Sequence, residues 1–239
     1  MTDPKDRPGD ESFEARRNEA RSRLDTLTGA VGGDHKDRND WFDQVYDLAD
    51  GDAAGVPWAD LEPKKALVDW LANNPGERQQ AIDIACGLGD NAEALASHGW
   101  QTTAFDFASG AISWAGQRFE HSEVAYQVAD LMDPPAHWIE AFDLVHECYT
   151  LQALQGPMRE AAFSAVAALV KPGGRLLLIT RTRDTESQPD GPPWPLSPGE
   201  LNRFDSLGFS LVERHDYEIV KKGRSIPHTR LELLRKQGD

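Results

Sequence analysis

Cysteine is scarce in this chain of 239 residues: Cys86 and Cys148 are the only two. They lie too far apart in sequence to suggest a disulfide framework, and each reads as a small buried apolar group. Basic residues are also in deficit. Lys and Arg number 25 against 40 Asp and Glu, a net charge of −15, which argues against nucleic acid or an anionic membrane as a partner and favours a small, neutral or weakly charged substrate. No apolar run approaches the roughly 20 residues that span a bilayer. The start, Met1-Thr2-Asp3-Pro4-Lys5-Asp6-Arg7-Pro8, has no hydrophobic signal segment, so a soluble cytoplasmic protein is the expectation. None of the seven histidines has the paired spacing that puts two ligands on one helix face, so no metal site is expected. The length suits one α/β domain with a substantial core.

What is present centres on residues 81–91, Ala-Ile-Asp-Ile-Ala-Cys-Gly-Leu-Gly-Asp-Asn. This reads as a buried strand breaking into a glycine turn. Gly87 and Gly89 let backbone approach a ligand without a Cβ in the way, and the helix that follows points free N–H groups at the same place. Asp83, just before the turn, would repel a phosphate and hold an ammonium group. S-adenosylmethionine carries an ammonium and a sulfonium and no phosphate, so it is the ligand these residues favour. The looser dinucleotide fingerprint is also met, by Gly87, Gly89 and Ala92 with Asp106 at the distance of a ribose-binding acid.

Downstream strands decide the weight of that reading. A helix over 92–98 leads to a strand over 100–105 ending in Asp106, placed to accept ribose hydroxyls. A strand over 124–128 ends in Ala129-Asp130-Leu131, an acid for an adenine amino group and a leucine to pack the base. A fourth, over 142–146, ends in Glu147-Cys148-Tyr149. Acids at successive strand ends fit the rule that open α/β sheets bind ligands at their carboxyl edge. Each acid taken singly also reads as a turn or capping residue. His146, at a strand end, reads first as a hydrogen-bonded core histidine and second as a general base.

Residues 1–38 are charge-rich and read as a flexible tail with one marginal helix over 13–27; residues 39–239 read as a single domain whose first part, 39–75, forms a helical, aromatic cover with Trp41 and Trp58, while Trp70 reads equally as cover or as plain core packing. A helix starting at Pro157, a stop at Lys171-Pro172-Gly173-Gly174, a strand over 175–180, a helix over 198–207 closed by Gly208, and strands over 209–219 and 229–235 complete the chain. Strands alternating with helices and then a hairpin predict a doubly wound, mostly parallel sheet.

Residues 83–91, the acids Asp106 and Asp130, and the late Leu169-Val170-Lys171-Pro172-Gly173-Gly174-Arg175 together resemble the S-adenosylmethionine-dependent methyltransferases of the Rossmann-like class, over about residues 60 to 235. Val56-Pro57-Trp58, the run 142–154 with Arg159, and Gly191-Pro192-Pro193-Trp194-Pro195-Leu196-Ser197 are similar to the thiopurine, thiol and halide methyltransferases. After Glu147 this chain departs from that group, with Cys148, Thr150, Leu151 and Gln152 partly replacing its aromatic residues. The resemblance implies seven strands with the last inserted antiparallel and helices on both faces. It also implies a cofactor held by Trp41, Trp58, Gly87, Asp106 with Phe107, Asp130, Leu131, Glu147 and Cys148. Tyr149, Arg181 and Trp194 are the candidate acceptor contacts, Arg181 because it follows the fifth strand and could steer an anion; a structural role is the competing reading for Arg181 and Tyr149. Because no histidine is paired with an acid at recognisable spacing, the expected reaction is in-line methyl transfer to a small thiol or other soft nucleophile. The alternatives are O- or N-methylation of a small metabolite and a nicotinamide-dependent dehydrogenase.

Overall fold

The protein is described by a computed structural model over residues 7–237, apart from 188, 190 and 222. Helices α1 (Glu11–Leu24), α2 (His35–Ala49) and α3 (Lys65–Leu71) precede β1 (Gln80–Ile84). Then follow α4 (Asp90–Ser97), β2 (Gln101–Asp106), α5 (Ser109–Arg118), β3 (Ala125–Val128), β4 (Phe142–Cys148), α6 (Gly156–Leu169), β5 (Val170–Arg181), the short α7 (Pro198–Leu201), β6 (Phe209–Lys221) and β7 (Arg224–Arg235).

The strands form one sheet in the order β3-β2-β1-β4-β5-β7-β6. The first five pair in parallel, and β7 is antiparallel to both of its neighbours. The nicotinamide dinucleotide order ends in 4-5-6 with no such inserted strand, so the topology supports the doubly wound sheet expected from the sequence and departs from a dehydrogenase. The reversal at β4 and β1 opens a crevice at their carboxyl ends.

Alternation along each strand divides the core between two faces. Ile82, Ile84, Val145, Leu176 and Leu178 pack with Phe163 and Val166 of α6 and with Phe204. Ala81, Leu144, Leu177 and Ile179 pack with Leu67, Trp70 and Leu71 of α3 and Leu95 of α4. Lys171-Pro172-Gly173-Gly174 does stop α6, but by forming the irregular start of β5 rather than a separate turn. The stretch 198–207 is one α-helical turn followed by a 3-10 segment, Asn202–Leu207, closed by Gly208 at φ 89°.

The N-terminal part differs from the flexible tail expected over 1–38. Residues 1–6 lie outside the described residues, but α1 is capped by Asp10, which accepts from the Ser12 N–H, and it buries Phe13, Arg17, Ala20 and Leu24. Arg17 donates to the Ala59 carbonyl and Arg16 pairs with Asp52 at 2.8 Å. The Leu24 carbonyl accepts from Trp41 Nε1 at 3.1 Å. The four buried positions follow the 4-3-4 spacing of one helix stripe, diluted in sequence by the charges around them. Among the described residues no helix is long and apolar enough to cross a membrane.

Phe13 is 1% exposed, so Phe13→Ala is expected to lower unfolding free energy by about 3 kcal/mol or more. Chemical denaturation of the variant beside Val31→Ala, an exposed control, measures this; equal midpoints would restore the tail reading.

Candidate cofactor and acceptor site

The backbone leaves β1 through three left-handed residues, Ala85, Gly87 and Gly89, at φ 49°, 54° and 91°. A Cβ at Gly89 would run into Tyr126 Oη, and the φ of 91° is one that L side chains rarely adopt, so a side chain here is strained. Gly89 is also the N-cap of α4 and gives its first turn no side-chain acceptor, which leaves those amides available to a ligand. Arg118 fastens the loop by gripping both oxygens of Asp90, at 2.8 and 2.7 Å, and the Leu88 carbonyl at 2.5 Å.

The strand-end acids lie along the carboxyl edge of the sheet, each in a different electrostatic setting, and Asp106 is the one bonded to this turn. Asp106, 5% exposed, accepts from Gly87 N–H at 3.1 Å and Ala108 N–H at 3.0 Å, tying the glycine turn to β2. Burial pushes its carboxyl up to about 6, against the pull of those two hydrogen bonds and with a small push from Asp43 and Asp83. Glu147 accepts from the N–H groups of Thr150 and Leu151 at 2.6 and 2.9 Å through Oε1; burial pushes it up to about 7, and Oε2 is buried without a partner. Asp130 accepts from Met132 N–H at 2.8 Å, and Leu131 packs into the core beside it. Asp83 takes a hydrogen bond from His146 Nδ1 at 2.6 Å.

That last contact corrects the expectation that no histidine pairs with an acid. Residues 63 apart in sequence are set side by side by the parallel β1–β4 register, Asp83 opposite His146. It also answers the two readings of His146 in part: it is a hydrogen-bonded core residue, 0% exposed.

The aromatic cover lies over the turn. A Cβ at Gly87 would sit 3.4 Å from Tyr46 Oη and 3.9 Å from Trp58 Nε1, and Trp58 donates to Tyr46 Oη at 3.2 Å. Trp41, Phe42, Trp58 and Phe107 are joined by ring contacts with centroids 5.0 to 5.9 Å apart. Trp70 belongs instead to the core under α3, stacked on Trp100. Sequence reasoning missed Tyr46, and also Arg38, whose guanidinium lies 4.5 Å from the Phe42 ring centroid and 4.9 Å from that of Trp41. Arg38 is buried and donates to the carbonyls of Gly29, Ala30 and Ala153; the only sequence signal was its place one helix turn before an aromatic stripe.

The three candidate acceptor contacts do not form one cluster. Tyr149, at φ 71°, sits with its ring 5.7 Å from His228 and 4.7 Å from Lys64 Nζ, and Arg181 lies opposite His228 across β5 and β7. Trp194 instead lines a cavity of about 560 Å³ with Arg38, Met132, Leu154 and Met158. No hydrogen bond or ring contact joins Trp194 to Tyr149 or Arg181 among the described residues. Gln152 links the two regions: it accepts from Trp194 N–H through its carbonyl and from Arg181 N–H through Oε1, both at 2.7 Å.

Residues 81–174 match the family described as a methyltransferase domain. That match takes in 94 of the 239 residues, and over them the chain is similar to methyltransferases. A ubiquinone biosynthesis O-methyltransferase of Xanthomonas campestris pv. campestris is 34% identical over 139 residues, 56% of each chain; this chain thus spans little more than half of that relative. A probable thiol methyltransferase of Arabidopsis thaliana is 24% identical over 71% of this chain and 75% of its own. Among solved structures, the 1,6-didemethyltoxoflavin-N1-methyltransferase of Burkholderia thailandensis, with S-adenosylhomocysteine bound, superposes with a TM-score of 0.65 at 14% identity. It covers 84% of this chain and 90% of that one. Magnesium protoporphyrin IX methyltransferase of Synechocystis, with S-adenosylmethionine bound, gives 0.58 at 16%, over 92% and 97%. At such identities these two show the fold alone.

Asp106 and Glu147 hold their protons to about pH 6 and 7 when folded, above the ordinary 3.8 and 4.5. Between about pH 4 and 7 the folded state therefore binds more protons than the unfolded chain, and stability falls as pH rises through that window and levels above it. Asp106→Asn should flatten the lower half of the decline. Denaturation midpoints measured from pH 4 to 8 check it, and a wild-type profile that rises with pH across the window would refute the assignment of these two groups.

Proposed function

We propose that this domain uses S-adenosylmethionine to methylate a small anionic acceptor, a thiolate or a comparable soft nucleophile. The cofactor lies on the Gly87–Gly89 turn under Trp41 and Trp58. Asp106, next to Phe107, takes the ribose hydroxyls; Asp130 and Leu131 take adenine; Asp83, Glu147 and Cys148 border the amino-acid and sulfonium end. The residues fit such a ligand. Asp83 Oδ2 and Glu147 Oε2 are buried without partners, and carboxylates so placed repel a pyrophosphate while they attract an ammonium and a sulfonium. When bound, the cofactor supplies an electrophilic methyl group on a positively charged sulfur.

One observation carries the acceptor class. Arg181 makes no hydrogen bond or ion pair through its guanidinium among the described residues, and its Nε is buried without a partner; burial lowers its proton affinity. A desolvated, unpaired cation is costly, and an anionic acceptor offsets that cost. The groups beside it are poor bases for stripping a neutral acceptor. Burial pushes Cys148 and Tyr149 up, so both stay protonated, and burial pushes His228 down to about 4. An acceptor that arrives as an anion needs no base. Arg181 beside Tyr149 would hold such an anion in line with the methyl group that the cofactor would supply.

A second reading, methylation at oxygen or nitrogen, is favoured by the Asp83–His146 pair, which has the orientation of a base held by a carboxylate, and by the likeness to an O-methyltransferase.

Incubation with methyl-labelled cofactor and a panel of sulfide, alkyl and aromatic thiols, iodide, catechols and amines separates the two. Labelling of thiols is expected, and Arg181→Gln should raise KM for them by about tenfold with cofactor affinity unchanged. Catechols or amines labelled while thiols and iodide stay inert would establish the second reading instead.

A further inference from the structure

Strand β6 forms one edge of the sheet, whose order ends in β7-β6, and its 13 residues make it the longest strand among the described residues. Its inner side pairs with β7 from Phe209 to Lys221. Its outer side meets no main chain: among the described residues no backbone hydrogen bond joins 209–221 to any element but β7. Residues 211–216, 218, 220 and 221 are exposed, so neither face of the middle of the strand is covered. Leu211 and Val212 near one end and Val220 near the other are 54%, 52% and 70% exposed. An open edge of this length is a template for a further strand, and proteins blunt such edges with proline, a covering element, a bulge or mismatched charge. Here proline and cover are absent, and the one bulge, at Val212 between Leu211 and Glu213, leaves 213–221 in regular register.

Charge remains, and it decides whether a second copy of the same strand fits. A two-fold axis normal to the sheet pairs β6 antiparallel with its copy, and because residues opposite one another share a face, that axis passes through a residue. In the middle of the strand, Glu213-Arg214-His215-Asp216-Tyr217, most positions are repulsive. An axis at Glu213, Arg214 or Asp216 sets a charge opposite itself, and an axis at Tyr217 sets Asp216 opposite Glu218 of the second copy. An axis at His215 sets Arg214 opposite Asp216 of the second copy, twice by symmetry, with no like charges opposed. Arg214 already donates to Asp216 of its own strand through Nε at 2.9 Å, and its guanidinium has further N–H donors, so the four side chains can close a ring of alternating charge. Glu213 is paired with Arg230 of its own chain at 2.6 Å, and Glu218 accepts from Ser225. The same register sets the exposed 211–212 end of each strand beside the 219–220 end of the other, which brings Leu211 and Val212 toward Val220.

We propose that two copies of this chain associate through β6, edge to edge and antiparallel about His215, so that their two seven-stranded sheets continue as one. The charges that would turn away an unrelated strand match this one, and the edge is thereby specific for its own copy. The junction is narrow, so the association is reversible and follows protein concentration. It rests on neither the cofactor nor the acceptor reading.

Sedimentation velocity on the full chain over a range of concentrations reads the association directly, and a monomer–dimer equilibrium is expected. Arg214→Asp sets acid opposite acid twice across the axis, and it should raise the dimer dissociation constant by about tenfold or more. The double variant Arg214→Asp with Asp216→Arg exchanges the two charges and restores the opposite pairing, so most of the affinity should return. Both side chains are exposed, and circular dichroism checks that each variant keeps the fold. Should Arg214→Asp fail to fold, Asp216→Arg, which sets Arg opposite Arg, gives the same reading. A chain that stays monomeric at every concentration, a dimer that the single reversal leaves intact, or one that the double exchange does not restore would overturn the proposal.

Discussion

Asp106 is almost wholly shielded from water, yet it accepts two backbone N–H groups, one from the glycine turn and one from the loop before α5. That single side chain joins β1's turn to β2's end. The turn can be made of left-handed residues, with positive φ at Ala85, Gly87 and Gly89, because a fixed acceptor holds its first amide in place. Arg118 holds the far side through Asp90 and the Leu88 carbonyl. The loop is thereby fixed at both shoulders, and its middle is free to face a ligand. The raised proton affinity of Asp106 is the cost of that arrangement: a carboxylate used as a structural anchor in apolar surroundings is less willing to ionise.

The cover depends on the same anchor. Tyr46 and Trp58 come against Gly87, whose N–H Asp106 holds, and Trp58 is oriented by its hydrogen bond to Tyr46. Trp41 is oriented in turn by the Leu24 carbonyl at the end of α1. A chain of contacts runs from the first helix to the glycine loop, so α1 helps to shape the pocket roof. Arg38 makes a parallel connection, from the carbonyls of residues 29 and 30 to that of Ala153 behind β4. The roof is thus attached to the sheet at two places.

Much of this arrangement was legible in the sequence, and the part that was not has a common cause. The strand-turn-helix at 81–97, the acids at successive strand ends and the alternation of strands and helices are local patterns, and local patterns survive in one dimension. Helix α1 was legible as a marginal helix but not as a packed one, because its buried stripe includes Arg17, a residue that is apolar only along its stem. Helix α5, Ser109–Arg118, left little trace, since Ala111 and Ala115 are its only buried positions. The Asp83–His146 pair had no local signature at all. It arises from strand order and register, two features that a single sequence constrains only weakly. The split of Trp194 from Tyr149 and Arg181 is hidden for the same reason: the residues are gathered by a resemblance to a family, and the fold distributes them to either side of Gln152.

These tertiary features bear on the chemistry more than the motif does. The glycine turn and its acids, the proposed cofactor site, say nothing of the acceptor. Two separate places in the sheet speak to that. At the end of β5, Arg181 offers a cation without a guanidinium partner among the described residues, beside groups whose burial suppresses proton transfer, which is the setting proposed for an acceptor already ionised. On β1 and β4, His146 offers a nitrogen oriented by a carboxylate, a setting for an acceptor that must lose a proton. The two settings differ in what surrounds them. His146 is enclosed by Leu144, Leu177 and the apolar faces of α3 and α4, and it is bonded to Asp83, the acid that ends β1 before the glycine turn. Arg181 lies at the last residue of β5, beside Tyr149 in its strained conformation and the half-buried Lys64. A charged, partly accessible edge suits a small molecule that comes and goes, while an enclosed pair suits a ligand group that must be held in one orientation. On that physical distinction the enclosed pair on β1 and β4 and the accessible cation at the end of β5 are suited to different tasks, the first to holding a group in one orientation and the second to exchange with solvent.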